Sequence, residues 1–214
     1  MVKVFYFDES QKEFSANTYV LGKVGGNCVV IDLGSTDPKI YEYIKSHYES
    51  CSAILLTHGH FDHIRGISKF LKQFKDQNIP IYLNEKDKEL LKDPRINAAF
   101  LNNENTKVDI DIIPVKDGDK LNIKNFDIEV IETPFHTQGS VCYLFSDENA
   151  LFTGDTLFKG AIGRTDLPTS TPEDIPASLN KIKNLRQTLV IYPGHGPITR
   201  LIDEQDNNPF MKGI

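Results

Sequence analysis

Three of the six histidines fall within six residues, in the run Thr57-His58-Gly59-His60-Phe61-Asp62-His63. Where such a run follows a strand, His58 and His60 stand two apart in an extended segment and project to the same side, so they can grip one ion. Asp62 and His63 would lie in the turn that starts a helix, pointing elsewhere, and could grip a second. Neutral imidazoles and carboxylates suit zinc, and other transition metals accept the same donors. A polar turn with histidines facing solvent is the alternative. It is the common reading for one histidine and a poor one for three beside an aspartate.

His136, in Pro134-Phe135-His136-Thr137-Gln138-Gly139-Ser140, and His195, in Tyr192-Pro193-Gly194-His195-Gly196-Pro197, could each be an ordinary loop histidine. Asp155, in Thr153-Gly154-Asp155-Thr156, could simply cap a turn. All three nevertheless lie just past the end of a predicted strand. Strand ends along one sheet edge are where an α/β fold assembles a site from distant sequence, and this convergence favours metal. His47, on a predicted helix face, looks ordinary.

The elements that must position these groups read as an alternation of short strands and helices. Strands are predicted at 2–7, 17–21 and 28–31, punctuated by glycines. Asp37-Pro38 then opens a helix from the N-cap and first helical positions, with Ile40 and Ile44 along one face. A buried strand at 54–56 runs straight into the histidine cluster, and Ile64, Ile67, Phe70, Leu71 and Phe74 recur at helical spacing beyond it. A strand at 81–83 and a charged helix at 85–91 follow. Residues 93–105 are polar and poorly patterned, which suggests a flexible surface segment or a lid. Further strands are expected at 119–123, 126–132, 141–145, 150–153 and 189–192, with a helix carrying Ile175, Leu179, Ile182 and Leu185 between the last two. Pro176 leaves its first turn open. With no repeat, low-complexity tract or linker, residues 1–214 read as one mixed α/β domain.

Composition narrows the classes. Hydrophobic residues make up 39% and aromatic residues 10%, enough for a core at this length and too much for disorder. No apolar run approaches the roughly twenty residues of a spanning helix. The N-terminus lacks a basic start followed by a long apolar stretch, so the cytoplasm is the expected compartment. Lys and Arg total 24 against 30 Asp and Glu, a net charge of −6, which disfavours a nucleic-acid partner. Cys28, Cys51 and Cys142 show no CxxC spacing and lie in or beside strand-like stretches, where they read as reduced core residues.

The combined motifs resemble the metallo-β-lactamase superfamily. The resemblance rests on Val30-Ile31-Asp32-Leu33-Gly34, the His-x-His-x-Asp-His signature, His136, Gly154-Asp155-Thr156 and Pro193-Gly194-His195-Gly196, in the family's order and approximate spacing. Within the superfamily the chain looks most like the short glyoxalase II-like hydrolases, which lack the C-terminal glutathione-binding domain. The segments carrying that likeness are Gly154-Asp155-Thr156-Leu157-Phe158, Ile162-Gly163-Arg164-Thr165-Asp166-Leu167-Pro168 and Asn208-Pro209-Phe210.

The resemblance implies a four-layer αββα sandwich with two divalent ions on one edge, zinc first and iron or manganese compatible. Carried over by position, His58, His60 and His136 hold one ion, Asp62, His63 and His195 the other, and Asp155 bridges them. Asp32 matches a buried aspartate that orients ligands without binding metal, and Arg164 matches a basic residue that meets substrate. Asp62 and Asp155 are the expected catalytic residues. The implied activity is hydrolysis of a small thioester or related acyl compound, S-lactoylglutathione among them, by a hydroxide shared between ions about 3.5–4 Å apart. The alternative is a persulfide dioxygenase holding one iron at the positions of His58, His136 and Asp155. Asp155 argues against the true β-lactamases, His60 against the diiron flavoproteins, and the net charge against the RNA-processing members.

Overall fold

The central strands bury both faces, and that sets the architecture. In the computed structural model, which describes residues 3–7 and 15–212, one sheet has the order β1 (Lys3–Phe7), β2 (Thr18–Gly22), β3 (Asn27–Ile31), β4 (Ser50–Leu55), β5 (Ile81–Asn84), β6 (Ile113–Val115). The other sheet runs β12 (Thr199–Arg200), β11 (Val190–Pro193), β10 (Ala150–Gly154), β9 (Val141–Phe145), β8 (Phe126–Glu132), β7 (Lys120–Ile123). Strand β3 is parallel to β4, β4 to β5 and β5 to β6, and β10 is parallel to β11.

Side chains alternate along a strand, so each sheet feeds two cores. Cys28, Val30 and Ile54 face Ile40 and Ile44 of helix α1 (Pro38–His47), while Val29, Ile31 and Leu55 face the second sheet and meet Val130, Tyr143 and Phe152. Cys142, Leu151 and Ile191 turn to the far side, against Ile182, Leu201 and Met211. Those three belong to helices α4 (Ile175–Lys183), α5 (Leu201–Asn207) and α6 (Pro209–Lys212). The result is the expected four layers, helix, sheet, sheet, helix. All three cysteines are buried and free. Among the described residues, no helix is long and apolar enough to cross a membrane.

Local expectations met mixed outcomes. Asp37 caps α1, its side chain accepting from Lys39 N at 2.9 Å, and Pro176 sits in the first turn of α4, where its missing N–H costs nothing. The single helical periodicity from Ile64 to Phe74 is instead two helices, α2 (Phe61–Ile64) and α3 (Ile67–Gln73). They part where Gly66 N bonds Leu33 O at 2.7 Å. The charged helix expected at 85–91 is present with those limits, as a 3₁₀ helix. The 93–105 stretch contains a 3₁₀ turn (Ala99–Asn102) and a fully buried Asn97. Strands β6 and β12 and helices α5 and α6 had no counterpart in the sequence reading. The expected strand start at residue 2 lies outside the described residues.

Candidate metal centre

Strands β3, β4, β8, β10 and β11 end along one edge, and the chemistry-bearing residues follow those ends. Asp32, just past β3, holds a left-handed backbone (φ 52°) uncommon for a residue with a side chain. Its buried carboxylate accepts from Thr57 N at 2.9 Å, Thr57 Oγ1 at 2.8 Å and His63 Nδ1 at 2.8 Å. Those bonds decide where the imidazole protons sit. His63 donates through Nδ1, so Nε2 is the ring atom that faces inward. Thr57 gives its proton to Asp32, so at 3.1 Å its oxygen accepts from His58 Nδ1, and His58 Nε2 is a lone pair. His136 Nδ1 donates to the Arg164 carbonyl at 2.8 Å, which frees its Nε2. Fixing a ring through its outer nitrogen is how metal-binding histidines are oriented.

The inward atoms converge. One ligand atom each from His58, His60 and His136 lies within 4.8 Å of the others, and so do those of Asp62, His63 and His195. His60 Nδ1 is 2.9 Å from His136 Nε2, and Asp62 Oδ2 is 3.1 Å from His195 Nε2. Asp155 stands between the two groups. Its Oδ1 is 3.3 Å from His63 Nε2, while Oδ2 is 3.3 Å from His136 Nε2 and 3.5 Å from His195 Nε2. A further set, His58, His63 and Asp155, meets the same spacing.

The donor chemistry fits cations. His58 Nε2 and His60 Nε2 are buried with no hydrogen-bond partner, an arrangement that is costly unless something positive sits among them. Burial and the neighbouring imidazoles hold His58 well below the ordinary histidine range, and burial together with His136 pushes His60 down to about 3. Burial also opposes charge on His63, but the carboxylates of Asp32, Asp155 and Asp62 overcome it and raise that ring well above its usual value. For Asp155, burial favours the protonated form, and the imidazoles of His195, His63 and His136 reverse this and hold it well below the carboxylate range. The cluster therefore keeps Asp62 and Asp155 ionised and His58 and His60 neutral, the protonation states that ligands require, whereas His63 and His195, held in the charged form by those carboxylates, give up a proton when a metal binds.

A cavity of about 330 Å³ opens onto these groups. Its apolar wall is Phe61, Ala98, Leu101, Phe158 and Leu167. Arg164 lines it too, with its guanidinium held by Asp166 at 2.6 and 2.7 Å. A larger surface hollow of about 610 Å³, beside Lys159, Ile198 and Arg200, contains none of the clustered histidines.

All seven residues expected as ligands are thus brought to one place, with Asp32 behind them and Arg164 at the rim. The sequence reading missed Asn17, whose Nδ2 donates to Pro193 O and Gly196 O at 3.0 Å each and whose N bonds Gly194 O at 2.7 Å. It braces the His195 loop from the far end of the chain, and no local signal marks it.

The sequence matches the Metallo-beta-lactamase superfamily over residues 12–195. The chain belongs to that superfamily. It is 38% identical to the probable metallo-hydrolase YqgX of Bacillus subtilis across 93% of both chains. It is also 30% identical to the hydroxyacylglutathione hydrolase GloC of Haemophilus influenzae, across 92% of this chain and 93% of that one. Among solved structures, the BLEG-1 B3 metallo-beta-lactamase is similar over the full length of both chains, with a TM-score of 0.87 and 34% identity. This superfamily member thus carries a His/Asp site of metallo-hydrolase type.

Proposed function

We propose that the chain is a two-metal hydrolase of small thioesters or related acyl compounds. The observation that carries the reading is Asp155, whose carboxylate reaches His63 on one side and His136 and His195 on the other. In this reading His58, His60 and His136 hold one divalent ion, Asp62, His63 and His195 the other, and Asp155 touches both. Zinc suits the donor set best, and iron and manganese share it. When bound, such a pair supplies Lewis acidity and brings the pKa of a shared water near neutrality.

The chain's own residues do the rest. Asp62 and Asp155 bring the negative charge that balances the ions, and the imidazoles around them hold both carboxylates in the ionised form. Phe61, Leu101, Phe158 and Leu167 exclude water and receive the acyl portion. Arg164 meets an anionic end of the substrate. Its pair with Asp166 is solvent-exposed, so exchanging that partner for a substrate carboxylate costs little. No serine or cysteine nucleophile is needed. The GloC relative supports thioester chemistry by its name, while the superfamily match supports only the broader hydrolase class.

The test is elemental analysis of protein purified without chelator, followed by a panel of thioesters, lactones, persulfides and β-lactams. About two ions per chain with thioester cleavage is the expected result. One iron per chain with oxygen uptake on a persulfide would replace this reading with a dioxygenase.

A further inference from the structure

Asp87 is a buried carboxylate that none of the chemistry above uses. It sits in the 3₁₀ turn after β5, at the same sheet edge as the histidines, and is fully excluded from solvent. Its partners are not cations. Oδ2 accepts from Gly59 N at 2.9 Å and from Thr137 Oγ1 at 2.7 Å, and Oδ1 accepts from Gly139 N at 2.8 Å. Gly59 is the residue between His58 and His60, and Thr137 directly follows His136. One side chain therefore ties the two loops that deliver three imidazoles from opposite sheets.

The neighbouring sequence is cut to admit this carboxylate. A Cβ on Gly139 would stand 2.9 Å from Asp87 Cβ, and one on Gly59 would stand 2.9 Å from the Asp87 carbonyl oxygen and 2.7 Å from Leu90 Cβ. Neither contact is tolerable, so glycine is required at both positions for the N–H groups to come so close. All three partners are donors. An ionised carboxylate satisfies them with its two oxygens, whereas an amide would turn its own NH₂ against one of them. Burial raises the Asp87 pKa, and the hydrogen bonds from Thr137, Gly59 and Gly139 oppose that rise.

We infer that Asp87 is a positioning residue that sets the spacing between the His58–His60 pair and His136, and so the affinity of the three-histidine site without touching the ion. The inference rests on the metal-centre reading above. Residues that orient ligands in this way typically contribute roughly 10–100-fold in metal affinity.

The experiment is a competition titration of zinc against a chromogenic chelator, performed on the full chain with wild type and Asp87→Asn. Cobalt(II) absorption distinguishes the three-imidazole site from the site that includes Asp62. In Asp87→Asn one affinity falls by roughly 10–100-fold, cobalt(II) assigns that loss to the three-histidine site, and the other affinity stays close to wild type. A merely structural defect would lower both together, and that result, or no change in either, overturns the inference. Circular dichroism of the metal-free proteins reports whether the variant folds. If Asp87→Asn does not fold, Thr137→Val removes one donor to the same carboxylate, and its selective loss is smaller and in the same site. Wild-type protein that loads no ions would sink the metal-centre reading itself, whereas wild type loading two and both variants behaving like it would sink only the role of Asp87.

Discussion

Asp155 is the residue whose replacement separates the two halves of the cluster most directly, because among the described residues it alone lies within 3.5 Å of His63, His136 and His195. Asp155→Ala is expected to drop the ion content from about two per chain to one or fewer. Elemental analysis checks this, and two retained ions would show that the carboxylate does not bridge. Arg164 presents a different case, since its carbonyl orients His136 while its side chain lies half exposed beside Asp166. Arg164→Ala keeps the carbonyl and removes only the charge. It is expected to raise KM for an anionic thioester several-fold with a smaller fall in kcat, and an unchanged KM would take the side chain out of the site. His58, His60, Asp62 and His63 were readable in the sequence because their crowding is improbable otherwise, whereas His136, Asp155 and His195 were marked by their place after predicted strands and by the family resemblance. Asn17, Thr57 and Asp87 were not. Their types occur in every turn and cap, and only tertiary contact shows that each holds a ligand loop.

At the level of elements, the 93–105 segment holds order that its sequence does not announce. Its polar composition suggests a flexible surface segment or a lid, and part of that polarity is spent internally around Asn97. Asn97 Nδ2 donates to Leu90 O at 2.9 Å and Thr106 O at 3.0 Å, its Oδ1 accepts from Ala99 N at 3.1 Å, and its carbonyl accepts from Phe61 N at 2.9 Å. Arg65 reaches across to Glu104 at 3.1 Å. Ala98 and Leu101 consequently form cavity wall. Asn97→Ala leaves buried backbone groups unpaired, so a loss of about 1–3 kcal/mol in urea denaturation is expected. Faster amide exchange should be confined to this segment, and metal content should be unchanged. Exchange already as fast in wild type would show that these hydrogen bonds do not hold the segment. Strand periodicity was more legible than helix continuity: β8 and β9 match their predicted limits. The break between α2 and α3 was hidden because it answers to the Leu33 carbonyl, a partner far away in sequence.

Across the whole molecule, the four layers were implied by resemblance rather than by pattern. Runs such as Cys28-Val29-Val30-Ile31 are apolar on both faces, so they announce burial without saying what covers each side. The three cores that result are built without the metal centre, whereas the centre itself concentrates Asp32, Asp62 and Asp155 beside inward-facing imidazole nitrogens. These two facts together predict how metal removal acts. An ion that binds only the folded chain stabilises it by about 4 kcal/mol when present at a thousand times its Kd, and for a chain of this size each kcal/mol moves Tm by about 2–4 °C. Stripping with chelator should therefore lower Tm by roughly 8–16 °C for one site so loaded, while far-UV circular dichroism at 25 °C stays close to that of the loaded protein. Readdition of zinc should restore Tm in proportion to the ions regained. Calorimetry before and after chelation decides it: an unchanged Tm in protein shown to be metal-free would mean that the cluster is satisfied without cations, and loss of secondary structure at 25 °C would mean that the cores depend on the centre after all.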